Sequence, residues 1–332
     1  VKLEKGLARR KHVFSRQEAW DNMTQNGENI VIATHHSPDG DALGSAFGTA
    51  LALHYAGKKP VVLLDEHSAK FNFLPGREFI YDGDIADLAC DVFIAVDCGD
   101  KGRVSMAEDL LGRAPVTINI DHHVNNDGFA QHNYIDAVAS STCEVIWDII
   151  KTRISITKEI ATVLYTGICT DTGGFRHSAT SPKTMAAVAL LMGAGIDISD
   201  IQRRAMYSHS KVEAKIFATA IQKMQFMEEH PVAYTVLTQK DLNDVGAVYS
   251  DLDGIASYIL DTEGIEVSVF FTERTHGKVK ASFRSNSLDV REIAENFGGG
   301  GHKFAASGSF VAEVEEGVRL VLDAVKVALE NQ

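Results

Sequence analysis

Through the first half of the chain, short apolar runs rich in β-branched residues alternate with stretches of helical periodicity. Asn29–Ala33 (NIVIA), 60–64 (PVVLL), 91–96 (DVFIAV) and 116–120 (VTINI) predict four strands. Their apolar character is nearly continuous rather than alternating, which belongs to parallel strands covered on both faces by helices. Helices are expected at 42–55, ended by Gly57, and at about 141–151 and 158–169. Another opens with Ser181 as N-cap and Pro182 in its first turn and stops at Gly193 or Gly195. From Asp197 to about Met227 the pattern stays helical but turns more polar, as suits a connector. Beyond Pro231, strands are expected at 232–237, 265–272 and 278–285, with helices near 252–260, 290–297 and 315–329. The prediction is an α/β protein in two parts. A doubly wound parallel sheet occupies residues 1–196, a helical connector 197–230, and a smaller C-terminal α/β domain with a mixed sheet 231–332.

Composition adds exclusions. A chain of 332 residues, 45% apolar and 23% charged, has the make-up of a soluble globular protein with material for two cores. Cys90, Cys98, Cys143 and Cys169 are scattered without CxxC spacing, which fits a reducing compartment and argues against a thiolate zinc site. The apolar run 186–196 is far shorter than the ~20 residues of a membrane helix. The basic residues Lys2, Lys5, Arg9, Arg10 and Lys11 have no apolar stretch behind them, so no secretory signal is expected and the cytoplasm is the expected location. The net charge of −13 disfavours a protein that coats duplex DNA. It does not disfavour a phosphate-bearing substrate if the carboxylates gather divalent cations, which reverse the field locally.

The strand ends show where the carboxylates gather. After the first strand come His35, His36, Asp39 and Asp41; after the third, Asp97; after the fourth, Asp121-His122-His123. In open parallel sheets ligands bind at the carboxyl ends of strands, so three strands deliver Asp and His to one edge. Asp171 follows an apolar helix where no capping rule asks for it. A lone strand-end aspartate is ordinarily a turn or cap residue. A set on one edge, mixing carboxylates with imidazoles, suits Mn²⁺ or Mg²⁺ and metal-assisted phosphoester hydrolysis. His36, Cys98 and Asp100 carry no independent argument and are left as neighbours.

Asp121-His122-His123 within INIDHHVNN, together with His35-x-x-Pro38-Asp39-x-Asp41, resembles the DHH phosphoesterase family. The later Gly298-Gly299-Gly300-Gly301-His302-Lys303 resembles the glycine motif of the associated C-terminal domain, although Ser307 stands where many relatives have glycine. The likeness runs from about residue 14 to 330 with the motifs in family order, and the layout resembles the stand-alone nanoRNase (NrnA-like) branch. That resemblance implies two divalent cations, Mn²⁺ foremost with Mg²⁺ or Co²⁺ as alternatives. His35 and Asp39 would hold one and Asp41 the other; Asp97 and Asp171 would bridge both; His122 would complete the second site. A bridging hydroxide would attack phosphorus, His123 would face the scissile phosphate, and Asp121 would orient an imidazole. The implied activity is that of a phosphoric ester hydrolase, degrading 2- to 5-mers of RNA 3′ to 5′, linear dinucleotides such as pApA included. It would also remove the 3′-phosphate of 3′-phosphoadenosine 5′-phosphate (pAp).

In the second domain, four glycines alone would serve as a turn closing the helix before them, with Gly298 as its C′ residue. His302 and Lys303 directly after them suggest an anion nest instead. Between Glu273 and Phe304 six Lys/Arg face four acids, the reverse of the overall balance. Arg284, Ser285, Gly299, Gly300, Gly301, His302 and Lys303 are therefore the expected substrate-binding residues, with hydrolysis in the interdomain cleft. The expected partners are short RNA and nucleotides, without duplex DNA or membrane, and a homodimer is an open possibility. Competing functions are an inorganic pyrophosphatase or exopolyphosphatase, a cyclic-dinucleotide phosphodiesterase, and a nucleotide-binding regulator with a dead site.

Overall fold

Strands that are apolar on both faces must be covered on both, and the three central strands of the N-terminal sheet are. The structure, a computed structural model, describes residues 15–275 and 277–331; the basic residues from Lys2 to Lys11 lie outside them. The chain divides into two compact units, with the boundary between Ser208 and His209.

In the first unit the elements run α1 (Arg16–Gln25), β1 (Asn29–Ala33), α2 (Gly40–Tyr55), β2 (Lys59–Leu63), β3 (Val92–Val96), α3 (Glu108–Arg113), β4 (Val116–Asp121), β5 (His132–Ile135), α4 (Thr142–Ile150), α5 (Lys158–Asp171), α6 (Pro182–Met192) and α7 (Ile198–Gln202). All strand pairs are parallel, in the order β2-β1-β3-β4-β5. The order reverses between β1 and β3, and such a switch point opens a crevice at the carboxyl edge. Alternate positions of β1 and β3 face opposite cores. Ile30, Ile32, Ile94 and Val96 meet α2, α4 and α5, while Val31, Ala33, Phe93 and Ala95 meet Leu110 of α3. Each of these isoleucine, valine, leucine and phenylalanine side chains contributes about 1.5–3 kcal/mol when fully buried. β5 escapes the sequence pattern because HNYI is short and polar, an edge strand with one buried residue, Tyr134. α1 escapes because only Ala19 and Met23 are buried along it.

The helical stretch expected across 197–227 is broken. α7 passes into one turn of π-helix at Arg203–Tyr207, the backbone leaves helix at 208–210, and a new helix starts under a Ser210–Glu213 capping box.

The second unit runs α8 (Lys211–Gln222), β6 (Gln225–Phe226), β7 (Val232–Leu237), α9 (Gln239–Val245), α10 (Ile255–Leu260), β8 (Val267–Arg274), β9 (Lys278–Ser285), α11 (Val290–Asn296), β10 (Gly300–His302), β11 (Ala305–Val311) and α12 (Val314–Glu330). Its mixed sheet has the order β10-β11-β9-β8-β7-β6, with only β7 and β8 parallel. Val279, Ala281 and Phe283 point toward α11 and α12, while the intervening Lys278, Lys280, Ser282 and Arg284 take the other face. α8 and α10 pack against that other face over Ala233, Leu237 and Phe270. The glycine run is not a simple loop. Gly298, with φ of 68°, ends α11 as the C′ residue, and Gly300–His302 then pair with β11 as an edge strand. A Cβ on Gly299 would lie 1.9 Å from the Ser307 carbonyl oxygen, so this approach of two strands requires glycine.

Candidate metal centre and active site

The residues at the carboxyl edge of the first sheet converge. Asp97, just past β3, is buried and holds φ of 59°, the left-handed region that a non-glycine residue enters only under constraint. That backbone turns its carboxylate into a ring of donors. His35 Nε2 lies 3.5 Å from Oδ2, and His122 Nε2 and His123 Nδ1 each lie 3.8 Å from Oδ1. The Thr142 hydroxyl donates to Oδ1 at 2.9 Å.

Three overlapping groups of side chains could hold a metal ion: His35, Asp39 and Asp97; Asp41, His122 and Asp171; and Asp97, His122 and His123. Asp97 and His122 are each shared by two groups, whereas Asp171 belongs to one. Asp39 serves twice, because its Oδ1 also caps α2 by accepting from the amides of Asp41 and Ala42, both at 3.0 Å. Asp41 is buried at the N-terminus of α4, where its carboxylate accepts from the Thr142 amide at 2.7 Å and the Cys143 amide at 3.0 Å. His122 Nε2 stands 3.5 Å from Asp171 Oδ2.

Orientation comes from partners behind the cluster. His35 Nδ1 contacts the His36 carbonyl oxygen at 2.8 Å, which leaves Nε2 for Asp97 and an ion. Asp121, fully buried, takes no place in the three groups. Its Oδ1 accepts from His123 Nδ1 at 2.7 Å and its Oδ2 from Asn126 Nδ2 at 2.5 Å. Asn126 also donates to the Cys98 carbonyl at 3.0 Å, as does Asn119 at 3.3 Å. Of the neighbours left without a role, His36 and Cys98 thus contribute backbone carbonyls rather than side chains.

Charges at the cluster work on one another. Burial alone would raise the Asp97 carboxyl, but His35, His122 and His123 outweigh it and hold the pKa at about 2. Burial, then the charges of Asp97 and Asp171, pushes Asp41 well above the usual carboxylate range. Burial also lifts Asp171, to about 6, against the pull of His122. For His122 burial acts downward, yet Asp41, Asp171 and Asp97 together bring it up to about 9. His123 is raised by Asp121 against the same burial penalty. A buried concentration of carboxylates of this kind is the environment that divalent cations relieve. The oxygen and imidazole donors, with no cysteine in any group, fit Mn²⁺, Co²⁺ or Mg²⁺.

Sequence reasoning missed Thr142 and Asn126. Asn126 lay five residues after Asp121 in the INIDHHVNN motif, where only Asp121, His122 and His123 drew attention. Thr142 opens a helix whose start was visible, but its partners Asp97 and Asp41 are 45 and 101 residues distant.

The expected substrate residues of the second unit do not all face one way. Arg284 lies on the sheet face away from α11, with its guanidinium donating to the Phe283 carbonyl at 2.8 Å. Burial holds it below its usual pKa, opposed by Asp253. Ser285, the next residue, is buried on the opposite face, where its Oγ accepts from the amides of Ser287 and Leu288. Lys303, whose ammonium sits 5.0 Å from the Phe304 ring, lines a cavity with α11 and α12. Gly299, Gly300, Gly301 and His302 run along the β10 edge beside β11.

Comparison with known proteins gives this geometry its family. Residues 29–168 match the DHH family, N-terminal domain, and residues 230–331 the DHHA1 domain. The chain is 32% identical over 310 residues, 90% of each chain, to the bifunctional oligoribonuclease and PAP phosphatase NrnA of Thermus thermophilus. It is 24% identical to the protein of the same description from Bacillus subtilis, over 92% of this chain and 96% of that one. The crystal structure of an exopolyphosphatase-related protein from Bacteroides fragilis superposes with a TM-score of 0.88 at 26% identity, covering 96% of this chain and 98% of that one. No helix among the described residues is long and apolar enough to cross a membrane. The chain belongs to the DHH family of phosphoesterases, in its NrnA-like branch.

Proposed function

We propose that this chain hydrolyses very short oligoribonucleotides and pAp, using two divalent cations, Mn²⁺ foremost. The observation that carries this reading is the strained, buried Asp97, whose carboxylate meets His35, His122, His123 and Thr142 at one sheet edge. His35, Asp39 and Asp97 would hold one cation and Asp41, His122 and Asp171 the other. When bound, the cations supply charge neutralisation at the scissile phosphate and acidify water for attack. The protein's own contribution is order. Asp121 fixes His123 through Nδ1, so Nε2 is the nitrogen that hands a proton to the leaving oxygen. Its raised pKa keeps that proton available near neutral pH. Thr142 and the first amides of α4 hold Asp97 and Asp41 in place before any substrate arrives. The relatives described as oligoribonuclease and PAP phosphatase support the substrate class.

The test is incubation of the protein with Mn²⁺ and a panel of pAp, r(A)2 to r(A)5, r(A)24, cyclic dinucleotides and pyrophosphate. Substrates of two to five nucleotides and pAp are expected to be cleaved much faster than the 24-mer. Equal rates on r(A)3 and r(A)24 would remove the length limit, and a preference for pyrophosphate or a cyclic dinucleotide would replace the substrate assignment.

A further inference from the structure

One buried carboxylate of the first unit has no part in the reading above. Glu144, in the first turn of α4, is buried together with Ser140, Ser141 and Thr142. Ser141-Thr142-Cys143-Glu144 has the spacing of a capping box, in which the glutamate would turn back to the Ser141 amide. Only half of that box forms, with Ser141 Oγ accepting from the Glu144 amide at 3.2 Å. The carboxylate goes elsewhere. Its Oε2 accepts from the Ser140 amide at 3.1 Å, the Ser140 hydroxyl at 2.6 Å and the Thr184 hydroxyl at 2.8 Å. Its Oε1 takes no hydrogen bond among the described residues and faces the Lys183 ammonium at 3.4 Å. Lys183 is held in turn by Asp148 at 2.8 Å and Asp136 at 3.2 Å. Two segments of chain therefore meet at Glu144, and both lead to the metal groups. Residues 140–143 end in the Thr142 hydroxyl on Asp97 and in the two amides on Asp41. Lys183 and Thr184 lie in the first turn of α6, whose preceding loop starts from Asp171 at the end of α5.

We propose that Glu144 is a positioning residue of the metal centre. It belongs to none of the three metal groups; by fixing Ser140 and Thr184 it sets where the start of α4 presents its hydroxyl and amides to Asp97 and Asp41. Stability alone is a poor reason for a carboxylate at this place. Desolvation opposes its burial, and an apolar side chain of similar volume often serves a fold as well or better. What the carboxylate adds is a defined arrangement. Three hydrogen bonds on one oxygen and a cation beside the other leave the 140–142 segment one way to lie. The inference rests on the two-cation reading above and names a residue on which that site depends without contact.

The experiment is calorimetric binding of Mn²⁺ to the full chain after its metal has been stripped with EDTA, with the melting temperature of the stripped protein read alongside. Glu144→Ala is expected to weaken Mn²⁺ about 10- to 100-fold, and saturating Mn²⁺ to restore most of kcat. Glu144→Gln keeps an oxygen for Ser140 and Thr184 and should recover most of the lost affinity. Asp148→Asn is the control. It removes another partner of Lys183 but leaves residues 140–143 in place, so the melting temperature should fall while Mn²⁺ affinity holds. Unchanged affinity in Glu144→Ala would overturn the proposal. An equal loss in Asp148→Asn would tie the effect to stability, and a Glu144→Gln variant as weak as Glu144→Ala would tie it to charge; either overturns it too. Should Glu144→Ala show no melting transition, Ser140→Ala removes one donor from the same carboxylate, and undiminished Mn²⁺ affinity there would decide against the proposal. No Mn²⁺ binding by the unaltered protein would defeat the two-cation reading and this inference with it, whereas binding that no variant alters defeats this inference alone. Should the variants behave as expected while Mn²⁺ supports no hydrolysis, the proposed hydrolytic function falls and the role of Glu144 stands.

Discussion

The two sheets of this protein carry function in opposite ways. On the first, the chemistry-bearing groups gather at the sheet edge, buried or half-buried apart from the exposed Asp39, and held by backbone amides, a hydroxyl and one strained residue. On the second, the basic groups stand on a strand face at alternate positions, and among them Arg274 is braced by an aromatic ring. Metal ligands must be desolvated and fixed before an ion arrives, so their positions are built from many long-range contacts. Phosphate contacts tolerate water and motion, so a row of long cationic side chains suffices. Loss of one group should therefore be catastrophic in the first unit and graded in the second.

Asp97→Ala should test the catastrophic end. It removes a carboxylate shared by two ligand groups, and turnover should drop by roughly 10³-fold or more together with bound metal, read by kinetics and metal analysis. Chelation of the unaltered protein should do the same, reversibly on adding Mn²⁺. Full activity after chelation would sink the two-cation mechanism.

His123→Ala should separate holding from chemistry within the same unit. Because Asp121 occupies its Nδ1 at 2.7 Å, and the two groups proposed to hold the cations do not include it, the variant should keep its metal and lose about 10²- to 10⁴-fold in kcat. Loss of metal as the main effect would instead make His123 a ligand.

Arg284→Ala probes the graded unit. Losing a charge-assisted contact should cost about 1.5–3 kcal/mol in kcat/KM for a dinucleotide or pAp, roughly 10- to 150-fold. A minimal substrate such as bis-p-nitrophenyl phosphate has no distal phosphate to grip and should lose far less. An equal loss on both would place Arg284 at the scissile phosphate and collapse the contrast between the units.

Thr142→Val is the finest probe. It removes the hydroxyl that donates to Asp97 and nothing that touches an ion, so metal affinity should fall by about 10- to 100-fold while saturating Mn²⁺ restores most of kcat. Saturation should also stabilise the first unit, by about 2.7 kcal/mol at one hundred times Kd. Thermal unfolding of the unaltered protein with and without Mn²⁺ would show whether that gain stays in the first unit.

Much of this was legible in the chain. NIVIA and DVFIAV announce doubly buried parallel strands, because a strand covered on both faces cannot alternate, and the residues after them are placed at one sheet edge by direction alone. The Asp-His pattern at those ends, with Asp171 after an apolar helix and the DHH resemblance, singled out the residues of these groups, although His123 was expected to face the phosphate and not to join a metal group. The faces of β9 were also readable from its alternation, and applying period two there would have put Ser285 opposite Arg284. What the sequence could not contain were contacts made across long separations. Asp97's left-handed backbone, Asp41 on the amides of α4, Thr142 against Asp97, and Lys303 turned toward α12 all depend on how distant segments pack. The physical reason is range. Periodicity and strand direction are local properties that each segment carries by itself, whereas desolvation, orientation and the charge each carboxylate feels are set by neighbours that only the folded chain brings together.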